Sequence, residues 1–227
     1  MKFSNFKKEN YDKLMKSYII IFLMVSTTFF SQKKISKQFE TDTNEINIYT
    51  AGLDNITIQN SKSGFVEVFL YAEDYDEQLI KIIHKSTSVN INFEFKGTQS
   101  REVVFRKFIT KRLQRAHVIV KVPKNKEVYV FGENVDIESK DFRNNLAIYI
   151  ENGIVKLNTI KANIILKLYS GNVFANTKNA KVNVKTGHGK IEVNGILKEK
   201  TYQKTPKIFN GEVTVTTVKA NVFLSSK

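Results

Sequence analysis

Gly153, Gly171 and Gly189 recur at one fixed interval, and each opens the pattern G-x-[VI]-x-[LAV]: GIVKL, GNVFA, GKIEV. The phase does not stop at the glycine. Leu146, Ile164 and Val182 fall in step upstream, as do Ile148, Leu166 and Val184. Downstream, Val155, Val173 and Ile191 align, then Leu157, Ala175 and Val193, then Asn158, Asn176 and Asn194; Ala162 and Ala180 close the unit. Alternation of apolar and polar residues is the pattern of strands with one face buried. A fixed interval of this size is the mark of stacked repeats, none of which can bury its apolar face alone.

Taken singly, Asn152-Gly153 in IYIENGIVKL is a hairpin signal. A two-residue turn there would pair Ile150 with Val155 and Ile148 with Leu157, all apolar, so an antiparallel β-meander or sandwich is the alternative fold. Equal spacing and the recurrent asparagine favour a parallel β-solenoid with rungs of ~18 residues, like residues stacking into ladders. The repeat extends backward through Val128, Val130 and Ile137, with Glu133-Asn134-Val135 in the place of Glu151-Asn152-Gly153. It resumes at Asn210-Gly211 after a looser excursion near Lys198–Pro206, and TVKANVFL (Thr217–Leu224) echoes TIKANIIL (Thr159–Leu166). Regular repeats are therefore expected over residues 118–227.

Residues 33–117 are less regular and read as early rungs or a cap. Ile46, Ile48, Ile56 and Ile58 alternate, and Gly64–Val68 repeats G-x-V-x-V. The acidic start of EDYDEQLIKIIHK, with Leu79, Ile82 and Ile83 on one side, predicts a short helix near 74–85. Val89–Phe95, Glu102–Phe108 and His117–Val122 read as strands, the last ended by Pro123.

Positions 1–32 carry the layout of a signal peptide: Lys13 and Lys16, then the uncharged apolar run Ser17–Phe30, then Ser31-Gln32. Met15 reads as a start position, with residues 1–14 an upstream extension. A run of fourteen residues is shorter than the ~20 a spanning helix needs, so membrane association is expected only if the segment stays uncleaved. The chain is thus expected to be exported to the periplasm, the cell surface or the medium. It has no cysteine, which excludes disulfides, thiolate metal sites and cysteine nucleophiles. Net charge is +14, and removal of the leader leaves +11. Arg101–Arg115 is the one dense basic run, and no nucleic-acid-binding signature accompanies it, so no nucleic acid is expected as partner. Lysines spread along strands also guard sheet edges.

The stretch VIVKVPKNKEVYVFGENVDIES, followed by the NGIVKL, SGNVFA and HGKIEV repeats, resembles the putative-adhesin family of bacterial β-strand-repeat proteins (domain of unknown function 4097). The resemblance covers about residues 118–224. It implies a right-handed β-solenoid exported to the cell envelope, and it brings no catalytic residue.

Three histidines, His84, His117 and His188, are too scattered for a metal site, and His188 stands at a turn position held elsewhere by Asn152 and Ser170. The sharpest catalytic reading pairs Glu133 with Glu151, one unit apart and near ~5 Å if stacked, the separation used by retaining glycosidases. Both flank turns, where solvated rim acids are ordinary. No catalytic, cofactor or metal residue is assigned. A binding reading takes outward side chains: Tyr149, Lys167 and Lys185 share one column, Lys156, Phe174 and Glu192 another, with Tyr169 nearby. Tyr149, Lys167, Lys185, Tyr169 and Phe174 form a candidate ligand strip for glycans or other envelope components. The expected protein is a non-catalytic adhesin-like or structural module. The alternatives are a carbohydrate-active enzyme on a β-helix and a binder of polyanions or acidic glycans.

Overall fold

Sequence alternation becomes alternation of burial: Ala116–Val122 (AHVIVKV) and Ala180–Thr186 (AKVNVKT) turn every second side chain into the core. The computed structural model describes residues 33–72, 77–96 and 116–226, and Lys34–Lys227 form one compact unit. The segment expected to be a signal peptide, residues 73–76 of the expected helix, the Arg101–Arg115 run and the strand expected at Glu102–Phe108 lie outside the described residues.

The described residues form strands and no helix. In chain order they are β1 (Lys33–Phe39), β2 (Glu45–Tyr49), β3 (Asn55–Asn60), β4 (Val66–Ala72), β5 (Glu77–His84) and β6 (Ser88–Lys96). Then come β7 (Ala116–Val122), β8 (Glu127–Asn134), β9 (Asp136–Lys140), β10 (Asn145–Leu157), β11 (Ile164–Asn176) and β12 (Ala180–Thr186). The last are β13 (Ile191–Val193), β14 (Ile196–Lys198), β15 (Thr201–Lys204), β16 (Gly211–Thr217) and β17 (Asn221–Ser225).

Pairing arranges them in two columns. The first runs β5, β6, β2, β8, the start of β10, the start of β11, β16, β12, β15. The second runs β1, β4, β7, β3, β9, the end of β10, the end of β11, β17, β13, β14. Both long strands, β10 and β11, serve both columns by running through a corner. From β8/β9 through β10 to β11 the pairing is parallel with a constant shift of one repeat: Val130 beside Ile148, Ile148 beside Leu166, Ile137 beside Val155, Val155 beside Val173. Asn152-Gly153 is therefore no hairpin turn. Backbones come close there: a Cβ on Gly171 would sit 2.0 Å from the Gly153 oxygen, and one on Gly153 2.0 Å from the Val135 oxygen. Gly171 also holds φ at +119°, which side chains rarely adopt.

Inward residues of both columns make one core of Val, Ile and Leu. Phe142 and Ile160, from the loops that carry the chain from the second column back to the first, fill it from the remaining side.

Four expectations need correction. First, the sheet is mixed, not all-parallel: β5 and β4 run antiparallel at one end, β15 and β14 at the other. Second, the described part of the segment read as a helix, Glu77–His84, is β5. Its inward residues are Gln78 and Ile80, with Ile80 opposite Phe93 and Ile82 opposite Ile91. Pairing with β6 uses period two and overrides the weaker helical spacing of Leu79, Ile82 and Ile83. Third, Asn210-Gly211 does not repeat the Asn152-Gly153 corner. Gly211 opens β16 beside Ala180, and a Cβ there would lie 2.5 Å from the Ala162 oxygen. Likewise Asn221–Ser225 pairs with Asn172–Asn176, so the echo of TIKANIIL in TVKANVFL is not a structural equivalence. Fourth, Asn158, Asn176 and Asn194 form no side-chain ladder. Asn158 donates to Glu138 (2.9 Å), Asn194 donates to Ser226 (2.7 Å), and Ser225 lies beside Asn176. Asparagine stacking occurs at the corner instead, where Asn152 Nδ2 donates to Asn134 Oδ1 (3.4 Å) and Ser170 Oγ to Asn152 Oδ1 (3.0 Å).

Candidate ligand-binding site

In a parallel stack an outward residue has its register partner as its nearest neighbour, so rows of like side chains form along the column. One such row in the first column reads Tyr49, Phe131, Tyr149, Lys167, Thr216, Lys185. The rings of Tyr49 and Phe131 stack at 5.4 Å, and those of Phe131 and Tyr149 at 5.5 Å. The Lys167 ammonium lies 5.5 Å from the Tyr149 ring centre, a cation–π contact that ends the aromatic part of the row.

Of the strip residues, Tyr149, Lys167 and Lys185 thus do share a row, with Thr216 set between the two lysines. Tyr169 lies two residues further along β11 on the same outward face, its ring under the Lys219 ammonium at 5.4 Å. Phe174 is in the second column, where it stacks on Phe223 at 5.0 Å between Lys156 and Glu192. The structure does not bring Phe174 together with the other four. Two residues absent from the expected strip, Tyr49 and Phe131, turn out to belong to the row. Phe131 precedes Tyr149 by one repeat, and that spacing marks it. Tyr49 carries no such signal, because β2 is out of phase with the repeat.

Because the stacked rings cover one another's faces, the row presents ring edges and tyrosine hydroxyls rather than open faces. Beside it the corner opens into a groove of about 610 Å³, walled by Tyr49, Phe131 and Tyr149 and floored by Thr50–Asp54 and Gly132–Asn134. Local sequence explains the groove. Gly52, at φ +81°, turns the chain tightly after Thr50, and Leu53 N–H donates back to the Thr50 carbonyl (3.0 Å). Gly132 leaves space that Thr50 fills, since a Cβ there would lie 2.0 Å from Thr50 Oγ1. The Thr50 amide and hydroxyl both donate to the Phe131 carbonyl, at 2.9 and 3.2 Å. Asp54 is partly spent, accepting from the Ala116 amide at 2.7 Å. Glu133 is exposed at the rim.

Glu133 and Glu151 are in register at this corner, and both are exposed. No group of three potential metal ligands occurs among the described residues.

A second groove, about 420 Å³, lies on the outer face of the second column among Asn55, Thr57, His117, Asp136, Glu138, Lys140 and Lys156. Its polar groups are committed to one another. His117 hydrogen-bonds Asn55, Asp136 accepts from the Ile154 amide (2.8 Å), and Glu138 accepts from Asn158 and pairs with Lys140 (3.3 Å). Burial, then the Lys140 charge, holds His117 below the usual imidazole range. Burial pushes Glu138 upward, but hydrogen bonds from Asn158 and Lys140 outweigh it and leave the carboxyl below its ordinary value.

No protein-family profile matches the sequence, and no curated protein does. The fold has a solved counterpart. A putative cell adhesion protein from Clostridium sporogenes is similar over 87% of this chain and 100% of its own, at 12% identity and a TM-score of 0.56. A putative adhesin from Bacteroides fragilis matches over 86% of this chain and 98% of its own at 12% identity, with a TM-score of 0.28.

Proposed function

We propose that the protein is an exported, non-catalytic, adhesin-like binding module of the bacterial cell envelope, built as a right-handed β-solenoid with antiparallel caps, and that it holds a glycan in the corner groove. The observation that carries this reading is the groove itself. An aromatic wall of Tyr49, Phe131 and Tyr149 stands beside Thr50, Glu133 and Asn134, polar groups of the type that bind sugar hydroxyls. Support comes from the fold shared with the C. sporogenes protein, which is described as a putative cell adhesion protein. The leader expected from the sequence of residues 1–32 fits an envelope location. Lys167 and Lys185 continue the row beyond the rings, which favours an acidic glycan whose charge they meet.

The test is a screen of the purified protein against neutral and acidic glycans, followed by titration of any hit. Tyr149→Ala and Glu133→Gln should each weaken binding by about tenfold, the cost of ~1.4 kcal/mol of lost contact. An acidic ligand should also bind more weakly as salt rises. Unchanged affinity in both variants would remove the groove from the account. Turnover of a glycan that disappears in Glu133→Gln would transfer the site to the enzyme reading.

A further inference from the structure

The most exposed large apolar side chains among the described residues are Ile208 (83%), Leu197 (65%) and Ile196 (61%). All three, with exposed Phe209, lie in the segment Asn194–Asn210, which contains β14 and β15. Among the described residues these two strands are the outermost members of their columns: β14 pairs with β13 and β15 with β12, and neither has a described strand on its other side. Ile196 stands opposite buried Val193 and so faces inward, yet no described strand covers it and it is 61% exposed. Leu197, opposite Glu192, faces outward. The same segment holds Lys198, Lys200, Lys204 and Lys207 against the single acid Glu199.

The opposite end is finished differently. There Ile35, Phe39 and Ile82 pack against the core as Tyr202 does at this end, Lys81 on the edge strand β5 pairs with Glu94 at 3.0 Å, and the apolar residues left exposed on β5, Leu79 (40%) and Ile83 (39%), are less so than those of the tip. Guarding an open sheet edge explains lysines, but not two apolar pairs, Ile196-Leu197 and Ile208-Phe209, left in water among them. A second copy of this chain set against the same end would bring lysines against lysines. An anionic bilayer satisfies both features, apolar side chains entering the acyl boundary while ammonium groups meet headgroup charge.

We infer that the Asn194–Asn210 end is a membrane-docking tip for anionic phospholipid. The tip shares no residue with the corner groove, so docking and glycan binding stand or fall separately.

The experiment is vesicle flotation with residues 34–227, the compact unit, so that the apolar run at Ser17–Phe30 contributes nothing. Vesicles are phosphatidylcholine alone, or phosphatidylcholine with about 30% phosphatidylglycerol, the composition that supplies surface charge. The protein should float with the anionic vesicles, remain unbound with the neutral ones, and dissociate as salt rises. Leu197→Ser with Ile208→Ser should lower partitioning about tenfold, since both side chains are solvent-exposed apolar groups. Lys198→Glu with Lys207→Glu should lower it by ~20-fold or more. Each pair should melt as the parent does, and Tyr149→Ala should float normally. Equal binding to neutral vesicles, or no loss in either pair, overturns the inference. So does self-association in solution that Leu197→Ser with Ile208→Ser abolishes while flotation is unaffected, which would assign the tip to a second copy.

Discussion

Between Glu127 and Asn176 the chain lays down its strands in the order in which they are read, each level one repeat after the one beneath it. Beyond that stretch the order breaks in both directions. β2 and β3 lie between β6/β7 and β8/β9, and β16 and β17 lie between β11 and β12/β13. The first and last parallel levels in sequence are thus held inside the stack, paired on both edges. Internal segments double back as antiparallel strands toward its ends, with β1 outermost beside β4. In a simple repeat array each level touches only its neighbours in sequence, and the terminal ones have an open edge. Here the terminal levels are clamped, and among the described residues no parallel edge remains for another rung to extend.

That contrast predicts its largest effect at the C-terminus. Ending the chain at Asn210 removes β16 and β17, uncovering one edge of each of β11, β12 and β13 together with buried Val213, Val215 and Val222. Such a chain should show no cooperative thermal transition by circular dichroism. A sharp transition near the parent midpoint would mean that the last level is an addition rather than an insert.

Single residues should separate middle from end more finely. Gly171→Val places a Cβ against the Gly153 backbone at a positive φ, and should cost about 3 kcal/mol or more in urea unfolding. Gly195→Ala in the cap also meets a positive φ, +82°, but with nothing within 4 Å, and should cost roughly 1 kcal/mol. Equal costs would erase the distinction between close-packed corner and open cap.

The smallest effect is on acid stability. Hydrogen bonds from Ser61 and Ser63, then Lys121, hold Glu67 below the ordinary carboxylate range, and those from Asn158 and Lys140 do the same for Glu138 against the pull of burial. The unfolded chain therefore takes up these protons first as pH falls. Stability conferred by both acids is full above the usual carboxylate value and is lost as pH drops through the lower folded value. His117, also held low, contributes in the same direction, its share declining once pH falls below the usual imidazole value. Glu138→Gln in the second column and Glu67→Gln near the β4 end should each flatten the slope of unfolding free energy between about pH 5 and 3. A slope unchanged in both variants would leave these carboxyls out of the acid response.

What the sequence made readable follows the same division. The interval between Gly153 and Gly171 marks the register of β10 on β11, and stepping back by it from Tyr149 leads to Phe131, one wall of the groove. It does not lead to Tyr49, whose level is inserted from far away in sequence, nor to the Thr50–Asp54 loop that floors the site. Asn210-Gly211 misleads for a physical reason. Glycine is required wherever two backbones approach closely, and the stack has such an approach at the Ala162 corner as well as at Gly153. The helical reading fails over Glu77–His84 because Ile80 and Ile82 find partners in β6, a pairing that spacing within one segment does not reveal.

The order of the outward row ties fold to site, and cysteine pairs read it directly, since the chain has none of its own. Thr216 stands between Lys167 and Lys185 although Lys185 follows Lys167 by a single repeat in sequence. Adjacent strands set Cα atoms ~5 Å apart, within disulfide reach, and next-but-one strands nearly ~10 Å, beyond the ~7 Å limit. Under mild oxidation Lys167→Cys with Thr216→Cys should close an intramolecular disulfide, while Lys167→Cys with Lys185→Cys should not. The reverse outcome, a bond between positions 167 and 185 and none between 167 and 216, would contradict the inserted C-terminal level.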